Sequence, residues 1–393
     1  MRNGLVNLAV IGVGAMGSAH ARDIFELPNT NLVAVCDLIS ERAEYLAKKY
    51  QCKAFTDYQN LINLCDIDAV IISVPHYDHT PISIDCFSKG IHVLTEKPIA
   101  VHVADAKKMI GAYQTALRTY PNLKFGIMFQ QRTYGFWKKV KSLLNENELG
   151  KIIRATWIIT DWYRTQNYYD NGNWRATWRG EGGGVLLNQS PHNLDLFQWF
   201  FGMPNRVTGF VNFGKYHAIE VEDEVTAVFE YENGFIGHFI TSTAESPGTN
   251  RLEIVGELGK LVVENEKLTF WRNRYSMLED IITSNMPYTF VENWKIDVPF
   301  THHGKPGHDI LIENFANSIL QNEPLIVPGE QGINQIHLGN SIMLSGFLGK
   351  PVNLPIDADL YAQKLEERIR NSKFLKTTHI KSPQNLVNSF DKP

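Results

Sequence analysis

Up to about residue 130 the chain alternates between two textures. Short, nearly continuous apolar runs ("NLAVIGVG", "NLVAVCD", "DAVIISVP", "IHVLTEKP", "KFGIMFQQ") are separated by stretches such as "SERAEYLAKKY" and "VADAKKMIGAYQTAL", whose apolar residues recur at helical spacing. Strands apolar on both faces and alternating with helices predict an α/β fold, a parallel, doubly wound sheet covered on both sides. Beyond residue 130 the runs lengthen: "KIIRATWIIT", "RVTGFVNFG", "EVTAVFEYENGFIGHFITST" and "NRLEIVGELGKLVVENEKLTFW" read as long strands. Asn233-Gly234 predicts a type I′ hairpin, and Glu257-Leu258-Gly259 a second reversal. The chain therefore divides into a first domain at 1–128 and a second, α+β domain at 129–393 with a large, mostly antiparallel open sheet. One apolar helix is expected near 185–201 and packed on that sheet, another at roughly 308–321, and a third in "NQIHLGNSIMLSGFLG". The tail beyond about 371 is polar and basic in patches, and is expected to wrap the surface or a neighbour.

Length agrees with this division, since 393 residues exceed one ordinary core. A formal net charge of -4 gives no reason to expect a nucleic-acid or anionic-membrane partner. No apolar run approaches the roughly 18 residues of a membrane span. Cys36, Cys52, Cys65 and Cys86 form no C-x-x-C pair and read as reduced thiols of a cytoplasmic protein. The N-terminal letters, with Ala19-His20-Ala21, mimic a signal-peptidase site. A strand and turn that bind a dinucleotide account for them in more detail.

In "AVIGVGAMGSAHARDIF", Gly12, Gly14 and Gly17 have G-x-G-x-x-G spacing, after a strand and at the opening of a helix. The first glycine permits the tight turn and the second a close approach of a pyrophosphate, which the helix N-terminus attracts at Ala15 and Met16. The third permits helix–strand contact. The second strand ends in Asp37, 37 − 17 = 20 residues after the last glycine, the spacing of a carboxylate that binds ribose hydroxyls. That carboxylate repels a 2′-phosphate, and the next residue, Leu38, is not basic. NAD is favoured over NADP, with Arg42 the one nearby cation.

The glycine fingerprint, "SVPHYDHTP", "GIHVLTEKPIA", "WRGEGGGVLLNQSPHNLD" and the closing "GFLGKPVNLP" occur in an order that resembles the Gfo/Idh/MocA oxidoreductases, which include glucose-fructose oxidoreductase and inositol dehydrogenases. The resemblance covers nearly the whole chain. It implies a Rossmann domain followed by an open-sheet domain, with the active site between them. It also implies that Ser73, Val74, Pro75, His79 and Glu96 help to hold the cofactor. Lys97 would reach substrate and nicotinamide, and the Lys97-Pro98 bond would be cis. His192 would be the acid/base, Asp195 a substrate-binding carboxylate and Arg132 a further substrate contact at the domain junction. The family commonly carries an aspartate where this chain has Asn188.

These residues suit hydride chemistry. A neutral imidazole can remove the hydroxyl proton as hydride leaves an alcohol carbon, and an ammonium can stabilise the developing alkoxide. In one helix Asn188, His192 and Asp195 would share a polar stripe facing a ligand. The aromatic-rich "DWYRTQNYYDNGNWRATWRGE" suits stacking on a sugar, glycoside or cyclitol, with Tyr163, Trp178 and Arg179 as first candidates. His302, His303 and His308 could suggest a metal, but no carboxylate partner is evident and a loop closing over the cleft is expected instead. The leading function is an NAD-dependent dehydrogenase acting on a secondary hydroxyl. The alternatives are an NAD-recycling redox glycosidase (oxidation, elimination, hydration, reduction) and a non-catalytic sugar or nucleotide sensor. A homodimer or homotetramer is expected from the open sheet face.

Overall fold

The computed structural model describes residues 4–301 and 307–376. The first lobe runs β1 (Val6–Ile11), α1 (Ala15–Glu26), β2 (Thr30–Cys36), α2 (Ser40–Tyr50), β3 (Lys53–Phe55), α3 (Tyr58–Leu64), β4 (Ala69–Ile72), α4 (His79–Ser88), β5 (His92–Thr95), α5 (Val103–Ala116) and β6 (Phe125–Ile127). All six strands are parallel, in the order β3-β2-β1-β4-β5-β6. Every residue of β1 and β4 is buried, as a sheet covered on both faces requires. The order reverses between β1 and β4, which opens a ligand crevice at the carboxyl ends of those strands.

The second lobe continues with α6 (Gly135–Asn145), β7 (Ile152–Ile159), α7 (Gln166–Asp170), α8 (Val185–Asn188), α9 (Pro191–Phe201), β8 (Arg206–Phe213), β9 (Glu222–Glu230), β10 (Ile236–Ser242), β11 (Asn250–Gly256), β12 (Gly259–Glu264), β13 (Lys267–Asn273), α10 (Met277–Thr283) and β14 (Asn293–Asp297). It closes with α11 (His308–Gln321), α12 (Gly332–Leu348), β15 (Val352–Asn353) and α13 (Ala358–Asn371). Nine strands form one sheet, β14-β13-β12-β11-β7-β10-β9-β8-β15, antiparallel apart from the β10–β7 pair. Burial alternates along β7: Ala155, Trp157 and Ile159 are buried, whereas Arg154, Thr156 and Ile158 lie on the uncovered face. Only one face is covered, by α9 and α12, so period-two patterning is enforced there.

Two expectations need correction. The helix expected over 185–201 is two helices, broken at Gln189-Ser190, because Pro191 starts α9 and cannot continue α8. Asn233-Gly234 does not form a two-residue type I′ turn. Tyr231 and Phe235 close a three-residue loop in which only Gly234 has positive φ (82°). The turn with two left-handed residues is Asn265-Glu266 (φ 51° and 58°), joining β12 to β13. His302 and His303, and the tail beyond 376, lie outside the described residues.

Helices from the end of the chain return to the first lobe. Asn29 donates to Glu313 O and to Asn317 Oδ1 on α11. The Asn340 side chain on α12 accepts from Val103 N and donates to Val101 O at the start of α5. At the sheet edge Ile127 N bonds Val327 O, so the Val327–Gly332 segment covers β6.

Candidate active site

The turn after β1 shows a cradle for a dinucleotide. A Cβ at Gly12 would strike Ser73 O, and one at Gly17 would strike Gly12 O, so both glycines are required by packing. A Cβ on Gly14 would meet nothing within 4 Å. Gly14 is the N-cap of α1, and no side chain caps it, so the first-turn N–H groups at Ala15 and Met16 face open space, as an anion requires. Asp37 ends β2 beside this turn, accepting from Val13 N (3.0 Å) and Ile39 N (2.9 Å), with Arg42 at 3.9 Å. Leu38 is 91% exposed. These residues fit the NAD fingerprint.

After β4, His79 is fully buried with its two ring nitrogens against Pro98 O and Val74 O (2.8 and 2.9 Å), fixing the Ser73–Pro75 turn relative to the Lys97-Pro98 peptide, which is cis. Glu96 ends β5 and pairs with His20 of α1 at 2.7 Å, both buried. Burial pushes the Glu96 carboxyl up, but the bond to His20, with the His308 ring and the Lys97 ammonium nearby, outweighs it and holds the carboxyl well below its usual range. His20 also stacks edge-on with His308, the first residue of α11, at 5.3 Å. Burial, with His20 and Lys97 nearby, lowers His308 to about 4. Among the described residues no group of three or more His, Cys, Asp or Glu could hold a metal.

Lys97 extends from this strand end across the domain boundary, and its Nζ donates to Asn188 O at 2.8 Å. Burial lowers its pKa and Arg175 lowers it further, whereas Glu96 and Glu181 raise it. His192, on the first turn of α9, is buried, with Nδ1 unpartnered and its ring edge-on to Phe129 at 6.0 Å. Burial, and then Lys97, hold the imidazole well below its usual pKa, so it is neutral at physiological pH. An ammonium and a neutral imidazole thus sit within electrostatic range of each other, one from each lobe.

The polar stripe expected on one helix does not form. Asn188 ends α8, and its Nδ2 donates to Glu181 Oε1 at 2.6 Å. Asp195 is 1% exposed and takes both arms of Arg132, at 2.7 and 2.6 Å, plus Gln198. Arg132 is 3% exposed and also reaches Gln331 and the Trp199 ring. The pair is thus held by two parallel charge-assisted bonds between the elements that carry Arg132 and Asp195. Trp178, 3% exposed, packs against Phe213, Phe347 and Arg368. Tyr163 and Arg179 are exposed.

Three residues not singled out from the sequence belong to the site. Besides His20, Glu181 lies 1% exposed, accepting from Ala176 N as well as Asn188, while its carbonyl meets His76 Nδ1 at 3.0 Å. Burial raises its carboxyl to about 7 against the opposing pull of Asn188 and Arg175. The signal for it was available, since an amide at 188 instead of an acid calls for a nearby carboxylate. The third, Arg175, stacks on Trp174 (4.4 Å) and Tyr168 (5.0 Å).

Two family models match the chain. One, for an oxidoreductase family with an NAD-binding Rossmann fold, matches residues 6–120, and one for the GFO/IDH/MocA C-terminal domain matches residues 137–262. A 2,7-anhydro-N-acetylneuraminate hydratase of Mediterraneibacter gnavus is 29% identical over 208 residues, 52% of this chain and 51% of that protein, so the match spans about half of that relative's length. An inositol 2-dehydrogenase of Rubrobacter xylanophilus is 27% identical over 66% of this chain and 71% of its own. Among solved structures, the WlbA dehydrogenase of Bordetella pertussis in complex with NADH and UDP-GlcNAcA superposes with a TM-score of 0.75 at 23% identity, covering 90% of this chain and 100% of the other. Levoglucosan dehydrogenase with NADH and L-sorbose superposes with a TM-score of 0.73 at 20% identity, covering 90% and 99%.

Proposed function

The chain belongs to the GFO/IDH/MocA family of NAD-binding oxidoreductases, and on that premise we propose that it oxidises a secondary hydroxyl of a sugar, glycoside or cyclitol. Bound NAD supplies the hydride acceptor. The residues that would hold it are Gly12, Gly14, Ala15, Met16 and Gly17 at the pyrophosphate and Asp37 at the ribose. His192, kept neutral by burial, takes the hydroxyl proton. The Lys97 ammonium stabilises charge developing on the same oxygen. Asn188 holds that ammonium through its carbonyl, and Glu181 holds Asn188 in turn.

The observation that carries this reading is that the Lys97 ammonium crosses from the first lobe to Asn188 O at 2.8 Å, four residues before His192, whose Nδ1 is buried and without a partner among the described residues. NADH formation at 340 nm across a panel of sugars, glycosides and inositols tests it. At least one polyol is oxidised by the parent, while Lys97→Met and His192→Gln lose on the order of 10²–10⁴ in kcat, the usual contribution of acid–base catalysis. Absence of NADH with every polyol, or full activity in either variant, refutes it. A second reading is favoured by relatives that include the hydratase above and an α-N-acetylgalactosaminidase of Shewanella oneidensis, 29% identical over 46% of this chain and 41% of that protein. In it the same oxidation initiates elimination, and NAD is regenerated. Aglycone release without added NAD would identify it.

A further inference from the structure

The segment from Trp162 to Arg175 carries a surplus of unused hydrogen-bond donors. Trp162 Nε1, Arg164 Nε and Arg175 Nε are all buried and have no partner among the described residues. They belong to one continuous stack. The Arg164 guanidinium lies over the rings of Trp162 (5.4 Å) and Tyr168 (5.0 Å), and that of Arg175 over Tyr168 (5.0 Å) and Trp174 (4.4 Å). Trp174 in turn meets the His76 ring edge-on at 5.0 Å, which brings the stack to the carboxyl end of β4, where the cofactor crevice opens. Two like charges therefore share one tyrosine, and among the described residues no carboxylate forms an ion pair with either. Glu181, the acid that feels Arg175, already spends its oxygens on Asn188 and Ala176 N.

Buried donors without acceptors are costly. Aromatic stacking holds both groups flat and oriented, which suits the planar fork that guanidinium offers to an oxyanion. Lys97 and Lys376 lie within electrostatic range of Arg175 or of Glu181 and add positive charge. A neutral sugar would leave this charge uncompensated. Resting on the dehydrogenase reading, the geometry points to a substrate that carries an oxyanion, a sugar-borne carboxylate or phosphoryl group, received by Arg175 with Arg164 and Trp162 beside it.

The test is calorimetric binding to the NADH-loaded protein of matched pairs: glucuronate against glucose, galacturonate against galactose, and inositol 1-phosphate against inositol. At least one acid binds tenfold or more tighter than its neutral partner, and which arm responds separates carboxylate from phosphate. Arg175→Gln reduces that preference at least tenfold, and Arg175→Lys restores part of it. If no acid exceeds its neutral partner, or if Arg175→Gln keeps the preference, the inference is overturned. Selective binding without NADH formation from NAD⁺ would instead sink the dehydrogenase reading and leave the oxyanion site standing.

Discussion

Replacing Glu181 by glutamine should reverse sign in its effect on stability as pH rises. In the folded protein burial lifts this carboxyl to about 7 from an ordinary 4.5. Between those values the unfolded chain has released its proton and the folded chain has kept it, so stability falls with rising pH, and the loss is complete above pH 7. The difference, 7 − 4.5 = 2.5 pH units at 1.36 kcal/mol each, amounts to about 3 kcal/mol. Glutamine does not titrate, so it escapes that loss. It does place an NH₂ where Asn188 Nδ2 or Ala176 N now donates, which removes one hydrogen bond at about 1 kcal/mol regardless of pH. Glu181→Gln should therefore be less stable than the parent by about 1 kcal/mol well below pH 4.5, nearly equal to it at pH 5, and more stable by about 2 kcal/mol at pH 8. Glu222, also raised to about 7 by burial, titrates in both proteins and largely cancels. Urea unfolding followed by tryptophan fluorescence at pH 5, 6, 7 and 8 measures the two curves. Parallel curves would refute the reasoning.

Further outcomes follow from the geometry. Arg132→Met strands the buried Asp195 carboxylate and should cost about 3–5 kcal/mol, whereas Arg132→Met with Asp195→Leu should recover most of that, as read by urea midpoints. Gly14→Ala, with free space at its Cβ, should leave the melting temperature almost unchanged but weaken NADH binding in a fluorescence titration. Gly17→Ala should instead lower the melting temperature, because its Cβ meets the Gly12 carbonyl. Because burial keeps His192 neutral, the acid limb of the kcat profile should lie below the ordinary histidine value near 6.5. A limb above pH 7 would assign the base elsewhere.

Much of the fold was written in local pattern. β1, β2, β4, β5 and β6 were legible because a parallel sheet buries both faces of each strand, and β7 to β13 because one covered face imposes alternation. β3 has three residues, none of them buried, and all of β14 is exposed, so neither leaves a hydrophobic signature. Pro191 was visible, but the apolar spacing of "VLLNQSPHNLDLF" runs through it and concealed the break. The glycine turn was readable because its geometry depends on residue type and spacing, whereas Lys97 and His192 stood out through the family resemblance. The roles of Asp195 and Arg132 were not, since they depend on a contact between residues 63 positions apart. The packing of Trp178 was hidden for the same reason: composition marks an aromatic as able to stack, but its neighbours Phe213 and Phe347 are distant in sequence.

The return of α11 and α12 to the first lobe has a consequence for biosynthesis. On the ribosome, β6 emerges long before Val327–Gly332 can cover it, and the flank of α5 remains bare until Asn340 has been translated. The N-terminal half therefore spends much of translation with an unpaired sheet edge, the condition under which nascent chains recruit chaperones or pair with one another. A fragment cut at the apparent domain boundary would retain that raw edge permanently.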